Sequence, residues 1–521
     1  MFKLNFNYKA TTMNKIKYII VILVAIVTFS CDVDYYGSPN EPEVAPTYGI
    51  MNRVQKRLMD DTRDEWFSGR MSLLWVQYWN QTAYTEEDRY QYRETVNKAG
   101  WEDLYKNAQD LRDIIELNTS EATKDAMAAY GPNENQIAAA RIMLVYIYQI
   151  ATEMWGDVPY YSYGNDDETF QANSIKDAGI TTPAYAKQSA IYADMLKELD
   201  EAQAMIMLDE NMIDGDNFYG GDAVQWKKFA NSLRLRIANR VKDVYPDALN
   251  HMSSAIAAGV MESNADNAGV AYENTSLNGA PMYRAFYVEN RIDFAPSWSF
   301  VELLQGERGP FVADPRLDIF VDDNEDGFKV GIPLTSNNGE VGGFVKESLP
   351  GAAILAADYT EIYMEYAEVC FILSEYNGWD QTWYEMGVKA SMSRWGVDAA
   401  AIDAYVAALP PASEETVLTQ KYIALYMQPM EAWSEYRRTG YPNTLIKPNE
   451  TYDYTYLVKD DLGIVSEVTE KYTYGVGSLS SDVPNRVSYL LNEYSVNKAN
   501  VEAAKSSMGG DEITTKMWWQ N

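Results

Sequence analysis

Apolar residues recur at helical spacing through most of this chain, and that period fixes the fold class before any motif is considered. Ile137, Leu144, Ile147, Tyr148, Ala151 and Trp155 share one stripe, with Asn133 placed to cap a helix near Glu134 and Gly156 and Pro159 placed to stop it. A second stripe carries Ile191, Met195, Leu199, Ala202 and Ile206. A third starts at the cap Asp222 and aligns Trp226, Phe229, Leu233, Ile237 and Val241. The spacing predicts further helices over Tyr359–Tyr376 and from about Glu415 towards Arg438, with Pro429 breaking or kinking the last. Between about 265 and 350 Gly, Pro and Asn punctuate an irregular insert, where Lys329–Leu334 reads as a short strand. In a second insert, 450–485, Tyr452, Tyr454 and Tyr456 alternate as in a hairpin strand. The chain is therefore expected to be mainly α: one helical body with irregular loop and short-strand inserts.

The first thirty residues obey a different logic. Lys15 and Lys17 precede an apolar run from Ile19 to Phe29, about 16 Å long as a helix and too short to span a bilayer. A basic segment, a short apolar run and the pair Ser30-Cys31 read as a signal peptide over 1–30 whose cleavage leaves Cys31 as a lipidated first residue. Met13 is an alternative start to Met1. Residues 31–48, with Pro39, Pro42 and Pro46 among acids, read as a tether, and 49–521 as the folded domain. Cys370 is the only other cysteine, so a lipidated Cys31 leaves no intramolecular disulfide, and stability must come from the core. Cys370 lies in an apolar helical stretch and reads as a buried, inert thiol.

Composition excludes several functions. With 43 basic and 76 acidic residues the net charge is −33, or about −37 without residues 1–30, which argues against nucleic-acid binding. His251 is the single histidine, which rules out a two-histidine zinc site and argues against a histidine-based triad. No phosphate-binding loop, dinucleotide fingerprint or nucleophile elbow occurs. Paired-carboxylate glycoside hydrolysis is the remaining enzymatic reading, since many acids always supply pairs. Asp322, Asn324 and Asp326 precede Gly327 as in the first half of an EF-hand loop, making them candidate ligands of a structural calcium ion. Pro333 stands where the bidentate acid belongs, so the competing reading is an Asx turn. No other cofactor is implied.

Longer strings add a resemblance. Trp226-Lys227-Lys228-Phe229-Ala230-Asn231-Ser232-Leu233-Arg234-Leu235-Arg236, then Asp314-Pro315-Arg316-Leu317, then the glutamate-rich Glu365–Glu375, succeed one another in the chain. Glu431-Ala432-Trp433-Ser434-Glu435-Tyr436-Arg437-Arg438-Thr439-Gly440-Tyr441-Pro442 is the most specific, and Asn497–Asn500 and Thr515–Trp519 complete the order. Together with Trp75-Val76-Gln77-Tyr78-Trp79 near the start, the series resembles the SusD/RagB family in a variant subfamily. The resemblance implies tetratricopeptide-like helix pairs and no catalysis. It further implies an outer-membrane lipoprotein at the cell surface that binds oligosaccharide, polysaccharide or, alternatively, peptide, and passes it to a SusC-type TonB-dependent transporter for import.

The strings read as scaffold. Glu431 and Glu435 are spaced to pair with Arg438, and Gly440 releases the helix that Pro442 keeps from resuming. The ligand surface carries no transferable motif, so candidates rest on chemistry: aromatic faces for sugar C–H surfaces and planar polar groups for hydroxyls. The 40 Tyr and 13 Trp, against 15 Phe, suit that task. Trp75, Trp79, Gln81 and Tyr84 form one candidate cluster, and Tyr283, Tyr287, Arg291 and Trp298 another.

Overall fold

The computed structural model describes residues 44–341 and 346–520, so the predicted signal segment and Cys31 lie outside the described residues. Contacts divide the chain between Pro46 and Thr47, and the helical body begins at Thr47. Helices α1 (Thr47–Thr62), α2 (Glu94–Thr119), α3 (Asn133–Trp155), α4 (Gln188–Met205), α5 (Ala223–Arg240) and α6 (Ala248–Ala258) come in order, each packing on the next. This is the sequential pairing of helices that the resemblance implies. Helix α3 is long and apolar enough to cross a membrane, but it is buried almost throughout, as the central helix of the stack. Asp222 caps α5 as its position predicts, accepting from the Val224 and Gln225 N–H groups. Asn133 does not cap α3; its amide instead donates to Asn118 and to the Lys124 carbonyl.

After the stack the chain alternates irregular segments with short elements. Strand β1 (Trp79–Gln81) pairs antiparallel with β3 (Phe294–Pro296), and β2 (Ala268–Ala271) with β4 (Thr360–Met364). Helix α7 (Trp298–Gln305) comes after β3, and α8 (Tyr366–Tyr376) after β4. The helix expected over Tyr359–Tyr376 is thus half strand, since Ile362 belongs to β4 and only the residues from Tyr366 coil. Helix α8 packs on α9 (Gln381–Arg394), on α11 (Glu414–Ala424) beyond α10 (Ala399–Ala407), and back on α5.

The helix expected from Glu415 to Arg438 is broken as Pro429 dictates. It divides into α11 and α12 (Pro429–Thr439), with Met427 at φ +68° between them and Pro429 opening α12 where its missing N–H costs nothing. Gly440 closes α12 at φ +75°. The alternating tyrosines form the predicted hairpin, β5 (Thr451–Lys459) with β6 (Val465–Thr473), in register Tyr452 to Tyr472 and Tyr456 to Val468. Lys329–Leu334 is not a strand; only Ile332 forms an isolated bridge, with Ser297. Helix α13 (Lys498–Met508) is the last long element.

The charged residues of the family strings are buried. Arg240, fully buried on α5, bonds Glu153 of α3 at 3.1 Å and also pairs with Glu431 and Glu435 of α12. One turn earlier Arg236 holds Glu368 of α8 at 2.5 Å. Arg438 bridges Glu435 at 2.9 Å and Glu375 at 2.8 Å, and Lys421 of α11 reaches Glu435 at 2.9 Å. Arg437 lies 3.5 Å from the Trp433 ring centroid and donates to the Glu153 carbonyl at 2.6 Å. Of the predicted Glu431/Glu435 pairing with Arg438, only the Glu435 half forms; Glu431 faces Arg240 instead. Five helices are tied at one point by groups that would each be costly to bury alone.

Burial alone would raise the Glu375 carboxyl, but Arg438 and Lys242 hold it down to about 2, against 4.5 unperturbed. At Glu431 burial outweighs Arg240 and Arg236, and that carboxyl is pushed up to about 7.

Removing Arg240 takes the shared cation from three buried carboxylates, of which Glu435 keeps Arg438 and Lys421. Arg240→Ala is expected to cost about 3–5 kcal/mol in urea unfolding. Acid titration should read Glu375 directly: its folded value lies below the unfolded one, so its contribution is complete above about pH 4.5 and fades towards pH 2. Glu375→Gln should flatten the stability profile over that window, and an unchanged slope would show that Glu375 is not held ionised.

Candidate functional site

The two candidate clusters, some two hundred residues apart in sequence, meet through the β1–β3 ladder. Trp79 is opposite Pro296 and Gln81 opposite Phe294, and the ladder extends to Thr82, whose N–H donates to the Asp293 carbonyl at 2.7 Å. The segment after β1 and the segment before β3 therefore leave the scaffold side by side.

Three candidates are core residues. Trp75, Trp79 and Gln81 are wholly buried and offer a ligand no face. Trp75 packs edge-on against Trp433, with ring centroids 4.8 Å apart. Trp79 donates its indole N–H to the Tyr426 hydroxyl at 2.8 Å. The Gln81 amide donates to Glu87 at 2.9 Å, and its backbone N–H to Asp88 at 3.0 Å, which pins the loop after β1. Burial keeps the Asp88 carboxyl well above its usual range against that backbone bond.

The remaining candidates of this region do reach the surface. Tyr84 is 56% exposed and Tyr287 61% exposed. Tyr84 adopts φ +59°, a left-handed conformation that strains a bulky side chain and that scaffolds hold at functional loops. Tyr283 is half-buried with its ring centroid 5.6 Å from that of Tyr287. Arg291 lies 4.9 Å from the ring centroid of Trp66, a half-buried residue that sequence patterning does not single out. Arg70, 4.9 Å from the same centroid, is buried and joins Asp293 at 2.9 Å and Glu87 at 3.5 Å. One guanidinium therefore ties both loops to the body. Asp64, next to this rim, has its carboxyl pushed up to about 8 by burial, opposed by the Phe67 N–H. Trp66 carries no periodicity signal of its own; only the Arg70–Asp293 contact reveals its place.

Trp298 stands apart from this surface. It is 6% exposed, stacks on Tyr452 at 5.0 Å, and lines a cleft of about 550 Å³ against the β5–β6 hairpin. The run Asp322, Asn324 and Asp326 holds an Asx turn. Asn324 Oδ1 accepts the Asp326 and Phe328 N–H groups, each at 3.0 Å, Asp326 pairs with Lys346 at 2.9 Å, and Asp322 accepts the Ala352 N–H at 3.2 Å. Among the described residues no group of three or more His, Cys, Asp or Glu is placed to hold a metal. His251 accepts from Arg234 on its Nδ1, and burial pushes the Cys370 thiol up to about 12, the inert state its apolar setting predicted.

Comparisons bear on this geometry. The SusD-like_2 family model, described as starch-binding and associating with the outer membrane, matches residues 39–456. A solved chitin-binding protein is 26% identical, with 91% of this chain and 100% of that one covered at a TM-score of 0.71. A chitin-binding SusD homologue from Flavobacterium johnsoniae is 23% identical, covering 91% and 98% at a TM-score of 0.69. A SusD homologue from Parabacteroides distasonis is 21% identical, covering 91% and 98% at 0.73. No curated protein matches by sequence.

Core and rim aromatics should separate cleanly on substitution. Trp79→Ala is expected to cost about 3–5 kcal/mol by cavity formation. Tyr287→Ala should stay within about 0.5 kcal/mol of the parent, because its ring is largely solvated. Matched thermal and urea unfolding of the two variants would decide, and a comparable loss in Tyr287→Ala would place that ring in the core.

Proposed function

The chain belongs to the SusD-like family of carbohydrate-binding, non-catalytic proteins associated with the outer membrane, and we propose that its own ligand surface is the aromatic rim around Tyr84 and Tyr287. The observation that carries this reading is the β1–β3 ladder, which brings exposed Tyr84 beside the segment bearing Tyr283, Tyr287 and Arg291. Aromatic faces there stack on sugar C–H surfaces, and Arg291 offers a planar donor to hydroxyls. Solved relatives named as chitin-binding support a glycan ligand. In this reading the protein captures oligosaccharide or polysaccharide and passes it to a SusC-type TonB-dependent transporter. No bond is made or broken by the protein.

Anchoring is inferred from the sequence before Thr47. Cys31, acylated after removal of residues 1–30, would hold the protein on the outer membrane facing the cell surface, with the acidic, proline-bearing 31–48 segment as the tether.

Two measurements test this. Affinity electrophoresis against a panel of neutral polysaccharides should retard the parent chain, and Tyr84→Ala with Tyr287→Ala should weaken that retardation by about tenfold or more. Retardation by no glycan, alongside clear peptide binding, would reverse the ligand class. In cell fractionation Cys31→Ala should leave the membrane fraction when the transporter is absent, and persistence there would overturn the anchor.

A further inference from the structure

The cleft lined by Trp298 lies outside the rim and has its own chemistry. Its walls come from α7, from residues 328–331 and from the hairpin β5–β6. Gly331 lets the middle wall close: a Cβ there would come within 2.6 Å of the Trp298 backbone nitrogen. Trp298, Phe328 and Tyr456 supply aromatic surface, the last two half-exposed, and Tyr456 lies 5.0 Å from Tyr454, which itself packs on Trp298. The volume of about 550 Å³ is ample for a short oligosaccharide.

Charge distinguishes this cleft from a neutral sugar platform. Glu302, Glu307 and Glu467 all line it, and none takes part in an ion pair among the described residues. Lys329, the one basic residue lining it, is directed at Asp323 at 3.0 Å, Asp318 at 3.4 Å and the Val321 carbonyl at 2.8 Å. Arg308, near Glu302, donates to the Thr444 carbonyl at 2.6 Å and lies 5.5 Å from the Trp298 ring centroid. Burial and the neighbouring Glu307 push the Glu302 carboxyl up to about 7, against Arg308 and the Trp298 indole. That indole N–H, sealed from water, meets no acceptor at hydrogen-bonding geometry, though it lies near enough to Glu302 to favour its charged form. Three carboxylates without an ion pair beside aromatic rings in one cleft match a single ligand type: a hydroxyl-rich ring carrying an ammonium group.

We propose that this cleft is a second binding site, selective for saccharides bearing a free amino group, with Glu302 and Glu467 receiving the ammonium and Tyr456 and Trp298 flanking the ring. Aromatic faces and carboxylates together attract an ammonium more strongly than either does alone. The site is independent of the Tyr84–Tyr287 rim, so each can fail without the other.

The test is calorimetric titration of the full chain in detergent at pH 7 with a glucosamine trisaccharide, its N-acetylated counterpart and trilysine. The free-amine trisaccharide is expected to bind at least about tenfold more tightly than the acetylated one. Glu302→Gln and, separately, Tyr456→Ala should each weaken it by about tenfold while leaving neutral-polysaccharide retardation unchanged. Tyr456 is on a solvated hairpin, so this second variant still reports if Glu302→Gln folds poorly. Conversely, Tyr287→Ala should leave free-amine binding intact. Equal affinity for the acetylated sugar, tighter binding of trilysine, or indifference to both cleft variants would each overturn the proposal.

Discussion

Arg240 and the carboxylates around it are the constraint on which the architecture rests. A guanidinium with no exposure is stable only if its charge is matched, and here the matching groups come from α3 and α12. Neighbouring pairs extend the same demand to α8 and α11 through Glu368, Glu375 and Lys421. Apolar contacts between these helices are non-directional. A network of donors and acceptors is directional, so each pair fixes the separation of the helices that supply it. The opposed shifts at Glu375 and Glu431 show that the matching is uneven within the cluster: two cations dominate at the first, desolvation at the second.

A second, smaller node repeats the principle where the loops on either side of the β1–β3 ladder leave the body. Arg70 joins Glu87 and Asp293, and Gln81 and Arg93 also reach Glu87, at 2.9 Å and 2.7 Å. Residues on both loops are thus fixed to one buried cation, while their tips remain solvated. Positive φ at Gln77, Tyr84 and Tyr90 falls in this same stretch. Strain of that kind persists only where surrounding contacts over-determine it, which the Glu87–Arg70–Asp293 tie supplies.

How far the sequence could be read depends on what each signal encodes. Helix stripes are local, so α3, α4 and α5 were legible to within a few residues, as was the break at Pro429. The strand β4 was not, because Ile362 and Tyr366 sit four apart and imitate a helical stripe although a strand-to-helix junction lies between them. Its residues from Glu361 on are buried on both faces, so the alternation that betrays a strand is absent. The network was legible only in part, since Glu435 and Arg438 are helical neighbours whereas Glu431 finds Arg240 across the fold.

The candidate site shows the same boundary more sharply. Residue type cannot tell Trp79 from Tyr287: both are amphipathic aromatics beside irregular segments, yet one is sealed and the other is 61% exposed. What separates them is the β1–β3 ladder, a pairing between positions more than two hundred residues apart that no local pattern specifies. That ladder also connects the deeply buried candidates to the exposed ones. Trp79 fixes β1 through Tyr426, β1 fixes the register of β3, and β3 sets where the loop bearing Arg291 and Asp293 ends. The packing of Trp79 in the core thus sets the position of the chain on either side of the ladder, where Tyr84 and Tyr287 are exposed.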